Sequence, residues 1–225
     1  MVTEPREMAA TAVAYAKPRL RGWLHTVTSP VALVCAIVLI VLAPTGLATA
    51  AAAAFGVTAF VLFTTSAVYH RGRWSPRVER WLKRVDHANI FMLIAGSYTP
   101  FAVLALSGEA RVAVLAAVWG TAVLGVVFRM VWVDAPRWLY VPLYLGLGWG
   151  AGFVVPQLLH GAGAAAFTLV AVGGTLYSLG GVVYGLRRPN PSARWFGFHE
   201  VFHALTVAGF LCQYVAASLV VYRAA

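Results

Sequence analysis

The sequence predicts an all-α integral membrane protein, a bundle of seven transmembrane helices with a cytoplasmic N-terminus and a C-terminus outside. Composition is the first observation behind this. Of 225 residues, 61% are apolar and 11% are Asp, Glu, Lys or Arg, where a soluble domain carries about 45–50% and about 25%. So few charges cannot coat a water-facing surface, and the mean hydropathy is +0.79. The second observation is that the uncharged runs have the lengths of one or two bilayer crossings. The third is that these runs lack the alternation of a membrane β-barrel. A formal net charge of +10 does not change the class. The 17 Lys and Arg sit in short blocks between the runs, as topology signals and contacts with anionic lipid do, and form no single basic face for nucleic acid.

Residues 1–17 read as a cytoplasmic arm, followed by a single membrane domain over 18–225 that opens on an interfacial stretch around Arg19 to His25. His25 is read there as an interface residue. From Gly22 to Tyr69 about 48 residues carry no charge, room for two spans of roughly 20 with a turn at Pro44-Thr45-Gly46. Lys17, Arg19 and Arg21 before Val31–Leu42, with Ala48-Thr49-Ala50 after it, imitate a secretory signal and its cleavage site. The long preceding segment with Glu4 and Glu7 favours a retained first span instead. Ala88 to Gly108 supplies the third span and Val112 to Phe128 a short fourth. Trp138 to Leu186 is again a double length, broken at His160-Gly161-Ala162-Gly163, and Val201 to Tyr222 is the seventh. Gly146, Gly148, Gly150 and Gly152 form overlapping GxxxG pairs, and Gly181 with Gly185 another, which predicts close helix contacts there. Cys35 and Cys212, each inside an apolar run, indicate no disulfide.

Charge fixes the expected orientation. With the N-terminus inside, 15 of the 17 basic residues lie on the cytoplasmic side, against Arg111 and Arg223 outside. Trp74, Trp81, Trp138 and Trp195 flank the inside loops as an aromatic belt. The expected location is a membrane, crossed several times.

Ionisable residues at span ends are costly and ask for a reason. His70 closes the second helix, Asp86 and His87 open the third, and His199, Glu200 and His203 open the seventh, all at the same predicted face. Three chain segments thus bring imidazole or carboxylate to one depth, as a metal site between helices requires. His199 and His203 are four apart, on one helical face, which suits one Zn²⁺. The segment reads HExxH, in which Glu can be a general base, although Glu200 can equally snorkel to headgroups. His70 is the best third ligand, with Ser66 one turn earlier on its face; its alternative is an interfacial cap. Asp86 is either an N-cap or the group that orients water at the metal. His87 points about 100° from Asp86 on a helix, so both cannot serve one ion well. His160, in the predicted outside turn, is read as merely solvated.

Several stretches resemble the hemolysin III family, bacterial relatives of the adiponectin and progestin receptors in a wider group that includes alkaline ceramidases. They are Lys17-Pro18-Arg19-Leu20-Arg21-Gly22-Trp23-Leu24-His25, Ser66 to His70, Asp86-His87-Ala88-Asn89-Ile90 running to Tyr98-Thr99-Pro100-Phe101, and Arg188-Pro189-Asn190-Pro191 followed by Phe196 to His203. The resemblance covers nearly the whole chain. It implies seven helices with an inside N-terminus, and zinc bound by His70, His199 and His203 with Ser66 and Asp86 around a metal-bound water. Gln213 stands where many members have a further histidine. Ten residues beyond His203 is about 15 Å along a helix, too far for the same ion, so its loss weakens only a polar path deeper into the membrane. Three functions follow as expectations: a zinc-dependent intramembrane hydrolase of a lipid amide or ester, with Asp86 taking the proton; a membrane-permeabilising cytolysin, to which seven apolar spans are ill suited; and a lipid or ligand sensor braced by structural zinc.

Overall fold

A computed structural model describes residues 17–150 and 152–224. Eight helices lie along it: α1 (Trp23–Val41), α2 (Gly46–Arg71), α3 (Pro76–Ala105), α4 (Gly108–Val131), α5 (Arg137–Trp149), α6 (Val155–Ala162), α7 (Ala164–Leu186) and α8 (Phe198–Val221). Seven spans are long and apolar enough to cross a membrane, the fifth running from Arg137 to Ala162 through both α5 and α6. The protein is an all-α seven-span membrane bundle. Among the described residues there is no strand, only an isolated bridge between Ser192 and Phe196. The arm expected over residues 1–17 lies outside the described residues except for Lys17.

Local chemistry sets the helix ends. The α1–α2 turn falls where Pro44-Thr45-Gly46 predicts it, and the Thr45 hydroxyl accepts from Ala48 N at 3.2 Å, capping α2. Helix α3 differs from expectation. It begins at Pro76, in the first helical turn after Ser75, with Glu79 close behind at the positive end of the helix dipole. Asp86 therefore lies about three turns inside α3 and caps nothing. The reason is that Arg, Glu, Leu and Lys are good helix formers once they stand outside hydrocarbon; an absence of charge marks where lipid begins, not where the helix does. At 30 residues, α3 is about 45 Å long.

The fifth span also departs from a single helix. It breaks after Trp149, passes a short 3-10 turn at Gly152–Val154 and resumes at Val155, with Gly150, Gly152 and Pro156 lowering the cost of leaving the α conformation. The close contacts predicted for its glycines are absent. A Cβ at Gly146, Gly148 or Gly152 would meet nothing within 4 Å, and near Gly150 there are only carbonyls one turn back in its own chain. All four are exposed, so the GxxxG spacing faces no partner. In the sixth span a Cβ at Gly181 would meet the side chains of Leu145 at 3.3 Å and Val141 at 3.6 Å, and one at Gly185 would meet Val141 at 4.0 Å, so this pair faces α5 at ordinary side-chain contact distance and not backbone to backbone. Close approach occurs instead at Gly96, whose Cβ would stand 3.0 Å from the Ala54 carbonyl oxygen, and at Gly161 against the Ala105 backbone.

Helix α3 takes the centre. It packs on α2, α4, α5, α6 and α8, while α8 lies along α7 and also meets α1 and α2. Apolar residues such as Val27, Val34, Leu124, Val131 and Leu186 are exposed on the outside, the surface a lipid-solvated bundle presents. Cys35 and Cys212 are free thiols. Spans two, three and seven thus meet around one interior, with the ends that carry His70, Asp86 and His199 together.

Candidate metal centre

His70 is in the last turn of α2, and Ser66 lies one turn before it; both are buried. Gly22 lets the chain pass directly over this histidine. Its φ of +82° begins α1, and a Cβ there would lie 2.7 Å from the His70 Cβ, so neither the conformation nor the space admits a side chain. His199 and His203 are in the first two turns of α8, on one face. The start of that helix is held at two amides: Gly197 N donates to Glu200 Oε2 at 2.7 Å and Phe198 N to Asn190 Oδ1 at 3.1 Å. That gives the Arg188-Pro189-Asn190-Pro191 stretch a physical purpose, since it holds the N-terminus from which both ligands project.

The three imidazoles converge. One ligand nitrogen from each of His70, His199 and His203 lies within 4.8 Å of the others, and the Nε2 atoms of His70 and His199 are 3.1 Å apart. A tetrahedral ion with metal–nitrogen bonds of about 2.0–2.1 Å separates its ligand nitrogens by roughly 3.3 Å. The donor set is three neutral nitrogens without a thiolate, which leaves a fourth position open. Asp86 Oδ2 is 3.9 Å from His70 Nε2, and Ser66 interacts with the same carboxyl group. These residues can hold a metal ion, with a carboxylate beside it.

Other polar residues take different places from those expected. Glu200 neither lines the metal site nor reaches headgroups; it is 1% exposed and ion-paired with Arg21 while it caps α8. The literal HExxH pattern is therefore not that of a protease. Lys17 Nζ donates to the His70 carbonyl oxygen at 2.5 Å, and burial together with the nearby Arg21 charge lowers its pKa. Residues 17–21 also reach the loop before α8, through Arg19 N to Arg194 O at 3.0 Å and Leu20 N to Trp195 O at 3.2 Å. The N-terminal stretch thereby covers the histidine end of the bundle. His160 is exposed at the end of α6, as expected.

His25 is the residue that sequence reasoning misplaced. It faces the bundle interior, 2% exposed, stacked flat on His203 with ring centroids 3.7 Å apart and an interplanar angle of 5°. Both of its ring nitrogens are buried, with no hydrogen-bond partner among the described residues. A flat contact of this kind restricts rotation of the His203 ring, and it depends on the flatness of the His25 ring and not on its basicity. His25→Phe is expected to keep bound metal within about threefold of wild type, whereas His25→Ala lowers affinity by about 10-fold, as loss of an orienting contact does. Metal titration of the two purified variants checks this.

A cavity of about 230 Å³ opens beside the site. His25, Ser66, Asp86, His199 and His203 line one end, and from there it runs past Leu93, Tyr98 and Phe101 towards Tyr177 and Gln213. Among the described residues Asp86 is the one carboxylate on its wall. The cavity reaches Gln213, whose Nε2 donates to the Val170 carbonyl at 3.3 Å, by a mainly apolar route.

The family model described as "Haemolysin-III related" matches residues 13–214. The chain belongs to the haemolysin III family. Among curated relatives, it is 34% identical over 145 residues to "Hemolysin-3 homolog" from Bacillus subtilis (strain 168), a match that spans 64% of this chain and 68% of that protein. It is 32% identical over 130 residues to "Hemolysin-3" from Bacillus cereus, spanning 58% of this chain and 59% of that one. In this haemolysin III family member the matched segment contains every ring and carboxylate just described, from His25 to His203.

Proposed function

We propose that this protein is a zinc-dependent hydrolase that cleaves an amide or ester bond of a membrane lipid. The observation that carries the proposal is the mainly apolar cavity that starts at Asp86, His199 and His203, beside His70, and runs into the bundle. It offers an acyl chain a dry slot and leaves the polar linkage beside the imidazoles. The excess of basic residues at the histidine end supports a cytoplasmic N-terminus in a bacterial-type inner membrane.

His70, His199 and His203 would hold zinc through ring nitrogens, three ligands with one position open being the count of catalytic sites. When bound, zinc supplies a Lewis acid that polarises an acyl carbonyl and lowers the pKa of water towards about 7. Asp86 takes a proton from the attacking water and returns it to the departing nitrogen or oxygen. The water oxygen bonds to the acyl carbon, the C–N or C–O bond breaks, and the products are a fatty acid and an amine or alcohol. Ser66 orients the Asp86 carboxylate. The Arg21–Glu200 pair and Lys17 close the end of the bundle over the site and limit entry of bulk water.

Lipid profiling tests this in cells that express wild type or no protein. Wild type is expected to deplete one acyl-lipid class and raise free fatty acid. Identical profiles in the two would contradict the proposal.

A further inference from the structure

His87, adjacent to Asp86 on α3, has no part in the chemistry above, yet it is buried and lines the same cavity. Its Nδ1 is 2.5 Å from Nη2 of Arg129. A guanidinium can only donate and keeps its proton, so Nδ1 is the acceptor. A neutral imidazole that accepts at Nδ1 carries its hydrogen on Nε2. No hydrogen-bond partner for that Nε2 is found among the described residues.

Arg129 itself demands a reason. Counted from sequence as a cytoplasmic loop charge, it is 0% exposed at the end of α4. Its guanidinium lies 4.3 Å from the centre of the Tyr140 ring and donates to the Val133 carbonyl at 2.9 Å and the Trp132 carbonyl at 3.4 Å. Among the described residues no carboxylate pairs with it, and its Nε is buried without a partner. A buried cation with no counter-ion is costly in a membrane bundle. Hydrogen bonds to the carbonyls of Trp132 and Val133, in the turn that follows α4, account for two of its contacts and leave the one to His87 over.

The position of His87 supplies a use. The Tyr184 ring is 5.6 Å from His199 and 6.5 Å from His87, so the metal centre and His87 flank one phenol. The Tyr140 and Tyr184 hydroxyls are 3.2 Å apart, and both residues line the cavity. We infer that His87 is a fixed N–H donor for the acyl oxygen of a lipid in the cavity, and that Arg129 is the positioning residue that sets its tautomer. This rests on the proposed lipid hydrolase reading and adds to it the group that binds the carbonyl oxygen and, as negative charge develops there, binds it more strongly.

The test uses full-length protein with ¹⁵N-labelled histidine, loaded with zinc, in nanodiscs of phosphatidylethanolamine and phosphatidylglycerol. The probe is palmitate, an acyl chain with its carboxylate and the kind of product the hydrolysis would release. The His87 signal, assigned by its loss in His87→Gln, is expected to report hydrogen on Nε2 and none on Nδ1. Arg129→Gln is expected to mix the two tautomers with zinc content unchanged. His87→Phe should retain its zinc and bind palmitate about 10-fold more weakly, while His87→Gln, whose amide can donate from a similar reach, restores affinity to within about threefold. Hydrogen on Nδ1, or equal palmitate affinity in wild type and His87→Phe, overturns this inference and leaves the hydrolase reading standing. Failure of wild type to bind palmitate at all overturns both.

Discussion

Asp86→Asn is expected to retain one zinc per chain and lose lipid hydrolysis by about 100-fold or more. The amide is nearly isosteric, so the packing around a buried side chain, 9% exposed, changes little. What disappears is a base 3.9 Å from a ligand nitrogen of His70, and general-base catalysis contributes about 10²–10⁴-fold. Fatty acid release from total lipid extract, measured beside zinc content, separates the two quantities. Retained zinc with lost turnover marks Asp86 as acting on water; unaltered turnover would remove it from the mechanism.

His203→Ala has the second large effect, on metal first and activity as a consequence. His203 projects from the first turns of α8, whose length packs along α7 and against α1, α2 and α3. The bundle therefore survives the loss of one ring, but two imidazoles remain where three converge within 4.8 Å. Zinc affinity is expected to fall more than about 100-fold, beyond the 10–100-fold that loss of an outer-shell partner typically costs. Metal analysis of the purified variant, with unfolding followed in parallel, checks that the loss is local.

The span count was legible because hydrocarbon thickness acts on composition directly, so that every uncharged run of sufficient length became a span. The ends were not, since helix α3 continues about three turns beyond the lipid boundary through Arg77 to Val85, where charge costs nothing. Nor was the break at Gly152–Val154, or the idleness of Gly146 and Gly148, because glycine spacing specifies a flat helix face but not what lies opposite it.

The meeting of His70, His199 and His203 was legible for a geometric reason. Positions 199 and 203 share a face by periodicity, and the four crossings between the end of α2 and the start of α8, an even number, bring the chain back to the end of the bundle that carries His70. The contacts that orient these rings were hidden. His25 turns inward only because Gly22 adopts a left-handed φ against His70, and Glu200 is engaged by an arginine 179 residues away in sequence. Arg129 resembled any basic residue at a span end until the fold enclosed it.

The central claim is that His70, His199 and His203 hold one zinc ion with a position left for substrate or water. Zinc K-edge absorption spectroscopy on the wild-type protein, purified from membranes without added metal, tests it most directly. The account predicts one zinc per chain with three imidazole nitrogens and one further light atom at about 2.0–2.1 Å. A protein that carries no zinc, or whose zinc shows a sulfur ligand from Cys35 or Cys212, would contradict it.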